Sequence, residues 1–272
     1  MVNAVEFNVA CTCNAETFMI EKYKAYVERA IEIPEGINPN EITTAIVVDP
    51  DGTTRHVPTQ ITLIEGKYYA VINSLTNSVY TLIYNPVEFV DVEGHWAQDV
   101  VNDMASRKVI NGYADGTFAP NGNITRAEFA AIIIRALGLP EITGGSSFDD
   151  VASNDWYCGS IETAVDYGLI TGYSDGTFCP NDEITREQAM TIIARAMSIT
   201  GLDTNVTAGG SSFDNFTDGS DVSTYARESV LACLDTGIIT GRGNSALAPN
   251  DTMTRAEVAV IARRLLQQSG LI

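Results

Sequence analysis

The sequence predicts a multidomain fold, in which an N-terminal all-β, sandwich-like domain precedes an all-α, pseudo-trimeric unit of three helix-loop-helix repeats with a central three-helix bundle. Three observations predict it. One motif recurs three times at constant internal spacing after residue 88. Each copy ends in a helix-start signal followed by a segment that is apolar nearly all round. The residues before the first copy show the period-two alternation of strands instead. The expected boundaries are 1–86 for the β domain and 87–143, 144–208 and 209–272 for the repeats.

In the β domain, Val27, Arg29, Ile31 and Ile33 alternate with Glu28, Ala30 and Glu32. Val47-Val48-Asp49-Pro50-Asp51-Gly52 reads as a strand entering a turn. Tyr68–Ile72 and Val79–Ile83 read as two further strands, with Asn73-Ser-Leu-Thr-Asn77 as their connection. The domain is expected to act as a spacer or as the end of a larger ectodomain.

The repeats follow in order. The first carries Phe89-Val-Asp91, Trp96, Gly112-Tyr-Ala-Asp-Gly-Thr-Phe118 and Ile124-Thr-Arg-Ala-Glu128. The second carries Phe148-Asp-Asp150, Trp156, Gly172-Tyr-Ser-Asp-Gly-Thr-Phe178 and Ile184-Thr-Arg-Glu-Gln188. The third is read as Phe213-Asp-Asn215, Tyr225, Gly241-Arg-Gly-Asn-Ser-Ala-Leu247 and Met253-Thr-Arg-Ala-Glu257. In every copy the aromatic precedes the loop glycine by 16 residues, and that glycine precedes the arginine by 14. Gly144-Gly-Ser-Ser147 and Gly209-Gly-Ser-Ser212 read as linkers.

A first helix begins near each aromatic, because apolar residues such as Val101, Met104 and Ala105 recur at helical spacing. Gly168 and Gly237 stand where a left-handed residue would stop it, and Lys108 is a poorer stop at the matched place. A second helix opens on Thr125/Glu128, Thr185/Gln188 and Thr254/Glu257, the spacing of a capping box. One repeat is too small to bury such a helix alone, so the three second helices are expected to pack centrally.

Composition excludes several functions. A net charge of −19 argues against nucleic acid, which needs clustered Lys and Arg. No apolar run reaches membrane-span length, so no membrane insertion is expected. The five cysteines (Cys11, Cys13, Cys158, Cys179 and Cys233) have no disulfide-framework or zinc spacing, and the Asp115 and Asp175 loops lack calcium-ligand density. No cofactor or metal is expected. No Ser/His/Asp or Cys/His pattern points to catalysis. The start Met1-Val2-Asn3-Ala4 resembles no export signal, so the sequence reads either as a cytoplasmic protein or as a fragment of a longer exported chain, and the fragment is the favoured reading.

From Phe89 onward the chain has ten Arg but one Lys, Lys108. Arg126, Arg186 and Arg255 each follow a capping threonine, facing the positive end of a helix dipole. A locally unfavourable choice made three times marks a shared role. Either the arginines and free helix N-terminal amides receive an anion, or the arginines bridge to Asp91 and Asp150 and tie the copies together. Trp96, Trp156 and Tyr225 are equally readable as a ligand platform or as helix-start core. Arg135, Arg195 and Arg264, nine residues further on, read as structural.

These motifs resemble those of S-layer homology domains, over about residues 89–272. The resemblance implies three repeats forming one pseudo-trimeric unit. The grooves between them would bind a secondary cell-wall polysaccharide of Gram-positive-type envelopes, often through a pyruvylated amino sugar. It implies a ligand-binding set of Arg126, Arg186 and Arg255; Trp96, Trp156 and Tyr225; Gly112, Gly172 and Gly241; and Asp91 and Asp150. The third copy departs at Asn215, Tyr225 and Arg242–Leu247, so its groove is expected to be weaker. The implied function is non-enzymatic, extracellular anchoring at the cell wall, by a fragment that is itself a monomer. The alternatives are a protein–protein assembly module of a surface lattice and part of a surface-tethered carbohydrate-active enzyme.

Overall fold

The computed structural model describes residues 4–20, 22–202 and 210–272. The opening Met1-Val2-Asn3, Gly209 and the boundary expected at 208/209 lie outside the described residues.

The N-terminal region is all β. Its strands are β1 (Val5–Glu6), β2 (Ala10–Cys13), β3 (Glu16–Met19), β4 (Lys22–Glu32), β5 (Thr44–Val48), β6 (Thr54–Val57), β7 (Thr59–Ile64), β8 (Lys67–Thr76) and β9 (Val79–Ile83). One antiparallel sheet has the order β1-β9-β5-β6 and another β4-β8-β7, while β2 and β3 form a separate exposed hairpin. Ile31, Val47, Val57, Ile72, Tyr80 and Leu82 share one buried core. The connection expected over Asn73–Asn77 is mostly strand, since β8 runs on to Thr76. Its polar residues are tolerated inside because they are bonded: Arg29 Nη1 donates to the Ser74 carbonyl (3.4 Å), and Thr76 N donates to Ser74 Oγ (3.2 Å).

Among the described residues six α-helices follow: α1 (Gln98–Ser106), α2 (Arg126–Ala136), α3 (Cys158–Asp166), α4 (Arg186–Thr200), α5 (Arg227–Asp235) and α6 (Arg255–Gln268). The capping boxes at Thr125, Thr185 and Thr254 are fully formed, each threonine accepting from the third helical N–H and each Glu or Gln accepting from the threonine N–H. α1, α3 and α5 end at Lys108, Gly168 and Gly237, whose φ angles are 65°, 69° and 68°. Lys108 therefore holds a left-handed conformation that glycine takes freely and lysine does not.

The helices do not pack by repeat. α3 lies on α2, α5 on α4, and α1 on α6, so each second helix pairs with the first helix of the next repeat and the last closes on the first. Backbone bonds at the helix starts follow the same circuit. Ile184 N donates to Ile124 O (3.1 Å), Met253 N to Ile184 O (3.1 Å), and Ile124 N to Met253 O (3.0 Å). One apolar cluster spans all six helices and includes Phe129, Ile133, Ile193, Ala262 and Leu265.

The β region seats on this unit. Tyr26 Oη donates to Leu137 O (2.7 Å) and Arg55 Nη1 to Gly138 O (2.6 Å), capping carbonyls just past α2. Arg107 reaches back to Thr59 O (3.3 Å), and Gln60 to Ile272 O (3.3 Å).

The inter-repeat grooves

Each groove is built on a loop clasped by an aspartate. Asp91 accepts from Phe118 N (2.9 Å) and Ala119 N (2.6 Å), and Asp150 from Phe178 N (2.8 Å) and Cys179 N (2.7 Å). In the third repeat the clasp is Asp218, which accepts from Leu247 N (2.8 Å) and Ala248 N (2.7 Å). Asn215, aligned with the early aspartate by sequence, is exposed three residues upstream. The true counterpart of Phe89-Val-Asp91 is Phe216-Thr-Asp218. Phe216 lies under Gly241 as Phe89 lies under Gly112 and Phe148 under Gly172, and a Cβ on any of these glycines would overlap that ring. The clasped residues Ala119, Cys179 and Ala248 hold φ of 54°, 55° and 51°, so the carboxylates stabilise strained backbone. Burial alone would raise the Asp218 carboxyl, but the two N–H donors outweigh it and hold it below the usual range. The aspartates therefore shape the loop from beneath, and the glycines let it lie on phenylalanine.

The arginines leave their own helix and enter the next repeat. Arg126 Nε donates to Phe178 O (2.9 Å), Arg186 Nε to Leu247 O (2.9 Å) and Arg255 Nε to Phe118 O (2.8 Å). They bond carbonyls of the clasped loops and do not bridge to Asp91 or Asp150. The local dipole penalty is offset by these neutral acceptors in a buried setting. The helix-start amides expected to receive an anion are occupied. Arg126 N and Ala127 N donate to Asp182 O (2.9 Å) and Pro180 O (3.0 Å), and the other two helices repeat the pattern. Any anion must therefore meet side chains.

The side chains converge in three matched grooves. One is lined by Arg126, Gly172, Tyr173, Gln188, Arg195 and Tyr225, with a volume of about 420 Å³. Another is lined by Arg255, Gly112, Tyr113, Glu128, Arg135 and Trp156, at about 180 Å³. The third is lined by Arg186, Gly241, Arg242, Glu257, Arg264 and Trp96, at about 160 Å³. Each thus takes residues from three repeats. Trp96, Trp156 and Tyr225 are 66%, 64% and 59% exposed, which removes the helix-start core reading. Tyr113 and Tyr173 stack under arginine, with Arg255 Cζ 4.5 Å and Arg126 Cζ 4.8 Å from the ring centres. Sequence reasoning passed over these tyrosines and the lining role of Arg135, Arg195 and Arg264. The constant place of the tyrosine after the loop glycine was the available signal.

The grooves differ in charge. Arg255 Nη1 meets Glu128 at 3.1 Å. Glu257 meets Arg186 at 3.4 Å and Arg242 at 2.7 Å. Burial would raise the Glu257 carboxyl, but the Thr254 N–H and these arginines pull it below its usual range. Arg126 instead faces an amide, Gln188 Oε1 at 3.2 Å, and no carboxylate lies within 4 Å of it among the described residues. Nearby Glu187 is engaged elsewhere, accepting from Ser223 N (2.9 Å), Ser223 Oγ (2.7 Å) and Tyr225 Oη (3.0 Å). Those bonds fix the Tyr225 ring at the groove wall.

Residues 88–130, 147–190 and 215–259 match the S-layer homology domain family. The chain carries three tandem S-layer homology domains. The third match begins before Phe216-Thr-Asp218, in keeping with the corrected register. Among similar proteins are an amylopullulanase of Thermoanaerobacterium thermosulfurigenes, 37% identical over 74% of this chain and 10% of that protein; exoglucanase XynX of Acetivibrio thermocellus, 36% identical over 72% of this chain and 18% of that protein; and the surface-layer 125 kDa protein of Lysinibacillus sphaericus, 32% identical over 66% of this chain and 15% of that protein. The chain spans between a tenth and a fifth of the length of these relatives. The S-layer homology domains place it outside the cell, at the cell surface. No described helix is long and apolar enough to cross a membrane.

Proposed function

We propose that the chain is a non-enzymatic anchor. It holds its parent protein on the cell wall by binding an anionic, pyruvylated polysaccharide in the grooves of a pseudo-trimeric S-layer homology unit, and is itself monomeric. The backbone circuit through Ile124, Ile184 and Met253 supports the threefold reading. The observation that carries the function is the Arg126 groove, the roomiest of the three, where a guanidinium with no carboxylate partner among the described residues stacks on Tyr173 in a groove that Tyr225 also lines. A ketal carboxylate would supply the missing charge, and the aromatic faces would hold the sugar ring. The Arg255 and Arg186 grooves are weaker anion sites, because a ligand carboxylate there competes with Glu128 or Glu257. The groove of the third repeat has the smallest volume of the three, and Arg242 already pairs with Glu257 inside it. Gly112, Gly172 and Gly241 and the aspartates Asp91, Asp150 and Asp218 act by shaping the loops.

Gln188→Glu tests this without disturbing the fold, because glutamate completes the same capping box at Glu128. The new carboxylate would pair with Arg126. Calorimetric affinity for a pyruvylated N-acetylhexosamine glycoside is expected to fall about tenfold or more, the worth of a charge-assisted hydrogen bond. Arg126→Lys should fall similarly through loss of the fork. Unchanged affinity in Gln188→Glu would remove the Arg126 groove as the acid site.

A further inference from the structure

The Arg255 groove does not end where the other two do. Asn111 and Arg135 line it and also line a cavity of about 550 Å³ between the helical unit and the β region. With the Asn111 amide turned so that its oxygen faces the guanidinium, Arg135 Nη1 donates to it at 2.5 Å, and the two form the shared wall. The far wall is the β5–β6 turn, with Asp49, Asp51 and Thr53, together with Arg55 of β6, and the near wall carries Lys108 and Glu141. Neither of the other grooves shares a lining residue with this cavity.

We infer that this trough is a second glycan site, taking uncharged, hydroxyl-rich sugars of the same polymer, with the β domain supplying one side. The inference rests on the polymer being the partner. Its volume lies in the range that encloses a drug-sized ligand, about that of a disaccharide. Its carboxylates, hydroxyl and ammonium groups are the donors and acceptors that fit sugar hydroxyls. A net anion is a poor fit, because Asp49, Asp51 and Glu141 stand among the cations and Arg255 is already paired with Glu128.

Lys108 supplies a second, independent observation. At the matched positions the other two repeats have Gly168 and Gly237, which take the left-handed conformation freely. The repeat whose helix end borders the cavity keeps a strained lysine there, and that lysine lines the cavity. A strained residue at one of three matched sites, facing that site's cavity, marks function.

The test uses the full chain and a size-selected pentasaccharide of the cell-wall polysaccharide of an S-layer bacterium, its pyruvate removed by mild acid. Lys108→Gly is expected to raise the melting temperature by about 2 °C while weakening pentasaccharide binding about fivefold, one lost hydrogen bond. Thr53→Trp, at an exposed turn, should fill the trough and abolish that binding. Gln188→Glu should leave it unchanged, which separates this site from the acid site. Wild-type affinity in both Lys108→Gly and Thr53→Trp, or no pentasaccharide binding by the wild type, would overturn the inference. Failure of the pyruvylated glycoside alone to bind would count against the Arg126 reading instead.

Discussion

Arg255→Ala is expected to destabilise the helical unit by about 3–5 kcal/mol, the loss seen when one partner of a buried ion pair is removed. Arg255 is 5% exposed and closes the unit, joining the last repeat to the first through Phe118 O, Asn111 O (2.8 Å) and Glu128. Alanine would strand two carbonyls and a half-buried carboxylate together. The matched changes should cost less. Arg186→Ala leaves Glu257 still paired with Arg242, and Arg126→Ala leaves only an amide and a carbonyl without their donor. Each is expected to lose about 2 kcal/mol. Equilibrium urea unfolding of the three variants reads the ranking directly. Equal losses would mean that the carboxylate partners contribute little and that the carbonyl bonds alone hold the ring.

Asp218→Ala is expected to cost about 2–3 kcal/mol, the range of hydrogen bonds to a charged group. Asn215→Ala, at an exposed position, should stay within about 0.5 kcal/mol of wild type. The contrast arises because Asp218 fastens the left-handed Ala248 and Asn215 fastens nothing comparable. Asp218 also carries a pH signature. Its carboxyl is held below the usual range in the fold, so its contribution is complete above the unfolded-state value near pH 4 and is lost as pH falls through the folded one. The gap in unfolding midpoint between wild type and Asp218→Ala should therefore be constant above about pH 5 and narrow progressively as pH falls below about 4. A large loss in Asn215→Ala with none in Asp218→Ala would restore the original alignment.

Local signals were read well from sequence because they act within a few residues. The three capping boxes, the glycine stops and the helix of each repeat depend on spacings of three to nine positions, which periodicity exposes. The register of the third repeat was misread for a definite reason. Both Phe213-Asp-Asn215 and Phe216-Thr-Asp218 present a phenylalanine two residues before a polar acceptor, and the stretch from there to the aromatic varies among repeats. The Asp218 clasp and the fit of a ring under Gly241 separate the two. Partners far apart in sequence were not legible. Each arginine finds its acceptors more than fifty residues away along the chain, as Arg126 does at Phe178. Likewise α1 packs on α6 because the ring closes in space. The helix amides expected to receive an anion are occupied by backbone carbonyls, so the proposed anion site rests on side chains instead. The interdomain cavity left no sequence trace except Lys108, where a lysine stands in place of a glycine.

In the proposed anchor, an acidic substituent on the polymer is recognised by an arginine held in a groove. Calorimetric titration of the wild-type chain with purified cell-wall polysaccharide, before and after removal of its pyruvate, tests it most directly. Binding about tenfold or more tighter to the pyruvylated form is the predicted result. Equal affinity for the two forms, or self-association of the chain with no binding to either, would contradict it.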